Sequence, residues 1–255
     1  MKIWCQSCGA FGKDPIWSDY EQGLKKRAKE IARPDTIVEL YAQDMTVTGI
    51  DRYYVSQNLC TLQSIKNAIR AEREGYDAFV VISTPDPGFY EIREVVDIPV
   101  VFILENSLHF ALMLAPKFAF IAHGEGILSL LTEKTKRYGL AEHMTPSGCF
   151  DFTYTDWPEL YGHPERYIDI VTQKAREIIS NGARILIPAA LPLGVWFVQQ
   201  GIMEIDGVRV LDAFGCAVKT AELMVDLKKI GITRSKYGVP QKEALAAIQK
   251  LYFTE

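Results

Sequence analysis

The chain has 255 residues, with 28 Lys and Arg against 32 Asp and Glu for a net charge of −4; 48% are hydrophobic and 24% charged. This is enough for one large domain or two intimate lobes around a substantial core, with the composition of an ordinary soluble globular protein. The acidic balance without a long basic run argues against nucleic acid, and no apolar run reaches the roughly 18–20 residues needed to cross a bilayer, so neither nucleic acid nor membrane is expected as a partner.

The chain enters directly into a strand-like Lys2-Ile3-Trp4-Cys5, without a charged-then-apolar leader pattern. Strands are predicted over residues 2–7, 36–42, 78–83, 98–103, 117–122, 184–188 and 208–212. A helix near 18–32 places Tyr20, Leu24, Ala28 and Ile31 on one face, and one near 165–180 does the same with Ile168, Val171, Ala175 and Ile178. Asn181-Gly182 ends the latter with residues that tolerate a left-handed conformation. Further helices are predicted near 58–74, 105–115, 125–138 and 214–229, with a closing helix at 241–252. Alternating apolar runs and helical periodicity indicate an α/β protein with parallel sheets. Five cysteines, an odd number, argue against a disulfide framework and fit a reducing cytoplasm.

Two segments look alike. Gly75-Tyr76-Asp77-Ala78-Phe79-Val80-Val81-Ile82-Ser83 and Gly182-Ala183-Arg184-Ile185-Leu186-Ile187-Pro188-Ala189-Ala190 each run from a helix end through an apolar strand, and each is soon followed by a second strand. This diverged repeat implies two pseudo-symmetric lobes, each a parallel sheet flanked by helices, with the active site in the cleft between them. The expected division is 1–113 plus 212–255 for one lobe and 114–211 for the other. Catalytic groups in open α/β sheets sit at strand carboxyl ends. That rule selects Gln6-Ser7-Cys8, Ser83-Thr84, Glu105-Asn106, Ala122-His123-Gly124, Ala189-Ala190 and Asp212.

The segment from Tyr76 through Ser83-Thr84-Pro85-Asp86-Pro87-Gly88 resembles the first active-site segment of the aspartate/glutamate/hydantoin racemase superfamily, and Ala183 to Leu193 resembles the second. Lys2 to Ser7, Asp97 to Val101, Glu105 to His109 and Asp212 to Lys219 extend the similarity over nearly the whole chain, nearest to the hydantoin racemase branch. In that family a cysteine stands in each segment, and the two exchange protons with opposite faces of the substrate. Here these positions hold Ser83 and Ala190. A thiol can be tuned to act as such a base, a serine only with a second base behind it, and alanine not at all. The usual two-cysteine racemisation is therefore disfavoured.

What the cleft retains is anion binding: main-chain N–H groups at the turns after Ser83 and Ala190, with the hydroxyls of Ser83 and Thr84. Against this stands the reading that Ser83 and Thr84 only cap a helix. His123 stands where the family usually has a threonine that contacts substrate; it either acts as a general base, alone or through Ser83, or merely hydrogen-bonds at a strand end. Glu105 and Glu125 are candidate partners for it. The C-x-x-C spacing of Cys5 and Cys8 is open to a redox or zinc reading, but a second cysteine pair is missing and His109, His123, His143 and His163 are scattered. The resemblance instead makes Gln6 and Ser7 substrate contacts, with Cys8 lining the cleft. Cys216, at a helix start that lowers thiol pKa values, is the replacement nucleophile if a cysteine takes part. Asp212 either orients substrate or caps the same helix. Trp17, Tyr20, Phe150, Phe152, Tyr154, Trp157 and Tyr161, with Arg52, Tyr53 and Tyr54, are candidates to shape specificity.

The sequence thus points to a cofactor-independent enzyme acting on a small carboxylate or hydantoin-like cyclic amide. Hydrolysis, lysis or decarboxylation is expected ahead of racemisation with substitute bases such as Cys8, His123 or Cys216, and non-catalytic binding of a small acid is the alternative from another class. A homo-oligomer is expected from the habits of the resembled family.

Overall fold

The computed structural model describes residues 1–44, 54–152 and 154–235, with isolated positions between 243 and 250. Most of the helix expected at 241–252, Arg52, Tyr53 and the side chains of Tyr54 and Tyr154 therefore lie outside the described residues.

The first sheet contains β1 (Lys2–Gln6), β2 (Ile37–Tyr41), β3 (Ala78–Val81) and β4 (Val100–Phe102), all parallel, in the order β2-β1-β3-β4. The second contains β5 (Ala119–Ala122), β6 (Gly148–Cys149), β7 (Ile185–Pro188), β8 (Glu204–Ile205) and β9 (Val208–Val210), in the order β6-β5-β7-β9-β8. Only β8 runs antiparallel. It joins β9 through Asp206-Gly207, both at positive φ, as a tight hairpin needs. Every residue of β3, β5 and β7 is buried, because helices cover both faces of a parallel sheet.

The helices are α1 (Ser18–Ile31), α2 (Tyr54–Arg73), α3 (Glu91–Val95), α4 (Ile103–Leu114), α5 (Glu125–Arg137), α6 (Trp157–Gly162), α7 (Ile168–Ser180), α8 (Leu191–Gln199) and α9 (Ala213–Lys229). The anticipated faces are the buried ones: Tyr20, Leu24 and Ala28 in α1, and Val171, Ala175 and Ile178 in α7. Gly182, not Asn181, takes the left-handed conformation after α7, with φ of 99°. The strand expected over 98–103 is shorter, because Phe102 passes straight into α4 without a loop. Glu105 and Asn106 consequently lie in a helical first turn rather than at a strand end.

One core runs between the sheets, joining Ile3, Cys5, Val80 and Ile82 to Ile121, Leu186 and Trp196. Helix α9 packs against α4, β3 and β4 and also against α1 and α8. Between α1 and α8 the approach is close. A Cβ at Gly23 would stand 2.5 Å from Val195 Cγ1 and 2.6 Å from Gln199 Nε2.

Gly23→Ala sets two effects against each other. Helix propensity favours alanine by roughly 1 kcal/mol, whereas forcing a methyl into a packed contact costs typically about 1–3 kcal/mol. Since Val195 is a branched, buried side chain, the clash dominates and the variant is expected to be less stable by urea unfolding. A midpoint equal to or above that of the wild type would show that α8 shifts at little cost.

Candidate functional site

The carboxyl ends of β1, β3, β5 and β7 meet in a pocket of about 50 Å³. Ser7, Cys8 and Gly9 come from the turn after β1, Ile82 to Pro85 from that after β3, His123 from that after β5, and Ala190 to Pro192 from the start of α8. Trp17, Tyr20 and Trp157 complete the walls. The pocket volume is small for a ring-sized ligand, whose sites usually enclose at least about 300 Å³.

Of the site residues expected from sequence, Ser7, Cys8, Ser83, Thr84, His123 and Ala190 line the pocket. Ser7 Oγ accepts from Gly9 N at 2.9 Å, which leaves its O–H to donate elsewhere. Ser83 and Thr84 cap no helix, for α3 begins only at Glu91 with Tyr90 before it. The turn after Ser83 likewise offers no helix terminus for anion binding, contrary to expectation. The terminus after Ala190 does: Ala190 is the N-cap of α8 and makes no capping side-chain bond, and among the described residues no side chain caps the N–H groups of Leu191 and Leu193, while Pro192 has no N–H. The His123 ring packs against Trp157, with centroids 5.2 Å apart.

The other expected residues lie elsewhere. The Gln6 amide is committed to the fold: Nε2 donates to the carbonyls of Ser7 and Ala42, and Oε1 accepts from Trp4 and Asn67. Asp212 caps α9 through Gly215 N and binds Arg27 of α1, so its role is the structural one. Glu105 pairs with Arg93, and Glu125 accepts from Cys149 Sγ at 3.0 Å. Asn106 is buried, with no partner for Nδ2 among the described residues, and Ala189 sits in the core. Cys216 packs against a buried cluster that includes Leu108, Phe120 and Leu211 rather than lining the pocket. Burial, with the Asp212 charge, pushes its thiol up to about 12. That is the opposite of the depression expected from a helix terminus, because desolvation outweighs the dipole. No group of three or more potential metal ligands occurs among the described residues.

Sequence reasoning gave no role to Asp86. It is buried in the turn after Ser83, at φ of 50°, with its N–H bonded to Ser83 O. Its carboxylate accepts from Leu104 N and Glu105 N, both at 2.9 Å, and from Tyr138 Oη at 2.8 Å. One carboxylate thus caps α4 and ties the Ser83 turn to the end of α5. The only signal in the sequence was Asp-Pro-Gly, which reads equally well as a turn.

A scan against protein families matches residues 18–221 to Asp/Glu/Hydantoin racemase. The chain belongs to that family. It is 31% identical over 229 residues to a hydantoin racemase of Pseudomonas sp. (strain NS671), covering 87% of each chain. It is 27% identical over 225 residues to one of Paenarthrobacter aurescens, covering 87% of this chain and 91% of that one. Among solved structures, allantoin racemase from Klebsiella pneumoniae superimposes with a TM-score of 0.78 at 19% identity, covering 95% and 94% of the two chains. The two-lobed α/β fold expected from the sequence is the fold of this family. No described helix is long and apolar enough to cross a membrane.

Burial raises the Asp86 carboxyl from 3.8 to about 7, against the pull of its three hydrogen bonds. A carboxyl with a raised folded-state pKa stabilises fully below its unfolded pKa and loses that contribution as pH rises through the folded one. Asp86→Asn replaces one acceptor by an N–H that faces other donors, at an expected cost of about 1–3 kcal/mol. Urea unfolding across pH should show the lead of the wild type over this variant shrinking from about pH 4 to about pH 7. A lead that does not change with pH would mean that Asp86 does not titrate in this window.

Proposed function

We propose that this protein is a cofactor-independent isomerase that inverts a carbon centre beside a carbonyl in a small cyclic ureide of the hydantoin or allantoin kind. The observation that carries this reading is the pocket uniting strand ends of both sheets in a chain 31% identical to a hydantoin racemase. The names of the relatives weigh against the hydrolytic or lytic chemistry that residues 83 and 190 favoured when taken alone. Those two substitutions remain the argument for hydrolysis, lysis or decarboxylation, which the test below separates from inversion.

Removing the proton from a carbon between a carbonyl and a ring nitrogen generates an enolate. Its oxygen needs donors placed in advance in a site that excludes water. The hydroxyls of Ser7, Ser83 and Thr84 and the first-turn N–H groups of α8 are the donors the pocket offers. Ser83 is thereby a donor to developing charge rather than a base. The aromatic walls suit a flat ring, while the small volume favours a short substituent on the inverting carbon.

Purified protein is incubated in heavy water near neutral pH with enantiopure 5-methylhydantoin, allantoin, and free Asp and Glu, and followed by NMR and chiral chromatography. Inversion with deuterium uptake in a ureide is the expected result. Ring opening or loss of a carboxylate without inversion would replace the isomerase reading by the hydrolase or lyase one. Ser83→Ala is expected to lower kcat by about 100-fold with little change in KM, as for removal of one oxyanion donor; an unchanged kcat would take Ser83 out of that role.

A further inference from the structure

The register of the two sheets matches residues across the lobes. In the first sheet Gln6 of β1 stands opposite Val81 of β3, and in the second Ile121 of β5 stands opposite Pro188 of β7. Two residues beyond Val81 and Pro188 are Ser83 and Ala190, the equivalent positions at the ends of β3 and β7. Two residues beyond Gln6 and Ile121 are Cys8 and His123, which the same register makes equivalent at the ends of β1 and β5. All four line the one pocket.

We infer that Cys8 and His123 are the two acid–base residues of this site, acting on opposite faces of the substrate carbon from β1 of one lobe and β5 of the other. This assignment rests on the isomerase reading above. Inversion needs a proton acceptor on one face and a donor on the other. Ser83 and Ala190 supply no such pair, whereas a thiol and an imidazole do. The other cysteines do not serve: Cys5 is wholly buried, Cys60 is buried against Cys8 and does not line the pocket, Cys149 is bonded to Glu125, and Cys216 is outside the pocket. Packing against Trp157 fixes one side of the His123 ring.

The proton inventory closes. Neutral imidazole takes the proton from one face of the carbon, the C–H electron pair becomes the enolate, and the Cys8 thiol returns its proton to the opposite face. Imidazolium and thiolate remain. That is the state required to process the other enantiomer, with thiolate as acceptor and imidazolium as donor. Proton transfer through solvent resets the pair for another turnover in the first direction.

Cys8→Ala, Cys8→Ser, His123→Asn and His123→Gln, checked for folding by circular dichroism, are compared with wild type on both enantiomers of 5-methylhydantoin in heavy water. Racemisation should fall by at least about 100-fold in all four, the scale of a lost general acid or base. Exchange without inversion should persist in each, from one enantiomer in the Cys8 variants and from the opposite enantiomer in the His123 variants. A residue that merely supports the fold would impair both enantiomers alike. The wild type should place deuterium in product before the remaining substrate acquires any.

The assignment is overturned if folded variants keep most of the racemisation, if they lose exchange from both enantiomers alike, or if wild-type substrate and product gain deuterium together. A wild type that neither exchanges nor inverts a ureide overturns the isomerase reading itself, and the assignment with it. An active wild type with active variants overturns the assignment alone.

Discussion

A carboxylate buried at the end of a helix holds one wall of the pocket in place. Asp86 accepts from two N–H groups in the first turn of α4 and from the Tyr138 hydroxyl. The polypeptide between it and β3 carries Ser83 and Thr84. Two backbone donors and a hydroxyl offset part of the cost of placing a carboxyl out of water; burial still drives its pKa up. The structure tolerates this because alternatives are worse. Without Asp86 the N–H groups of Leu104 and Glu105 in the first turn of α4, which follows β4 with no intervening loop, would lose the side chain that caps them. Tyr138 follows α5, so the same carboxylate links the Ser83 turn to the helix that begins two residues after His123.

Ion pairs and amide networks fix the remaining walls in a similar manner. Arg27 and Asp212 join α1, which bears Tyr20, to the start of α9. The saturated Gln6 amide draws together β1, the end of β2 and α2 directly beneath Ser7. With Gly23 allowing α1 and α8 to touch, the aromatic wall and the open terminus of α8 are set at a fixed separation. The Gln6 amide and the Asp212 carboxylate are thus committed to the fold, while Ser7, Ser83 and the α8 terminus line the pocket.

Much of this was legible in the sequence, in proportion to how local the signal was. The buried faces of α1 and α7 follow from 3.6-residue spacing, and the paired segments ending at Ser83 and Ala190 revealed the two sheets. What escaped was decided by distant partners. A glutamine or aspartate at a strand end reads the same whether it faces a ligand or the fold; Asn67 settles Gln6 and Arg27 settles Asp212, 61 and 185 residues away. Glu105 was misplaced because Ile103-Leu104 extends the apolar run of β4 although the backbone has already turned helical. The pKa of Cys216 was misjudged for a related reason: the helix terminus is visible in sequence, the burial that overrides it is not.

Inversion makes a geometric demand that hydrolysis does not, namely groups able to exchange protons on both faces of one carbon. A pair of sheets related by pseudo-symmetry, with strand ends facing across a cleft, meets that demand wherever the groups sit, provided they occupy equivalent strands. The ends of β3 and β7 form one such pair of positions and the ends of β1 and β5 another. Serine and alanine at the first pair remove titratable groups from it, yet keep a hydroxyl donor and leave the α8 terminus uncapped by a side chain. On the assignment proposed above, enolate stabilisation stays with β3 and β7 while β1 and β5 carry proton transfer. Such a division of labour would preserve the architecture of the family and change only which strand ends hold the proton.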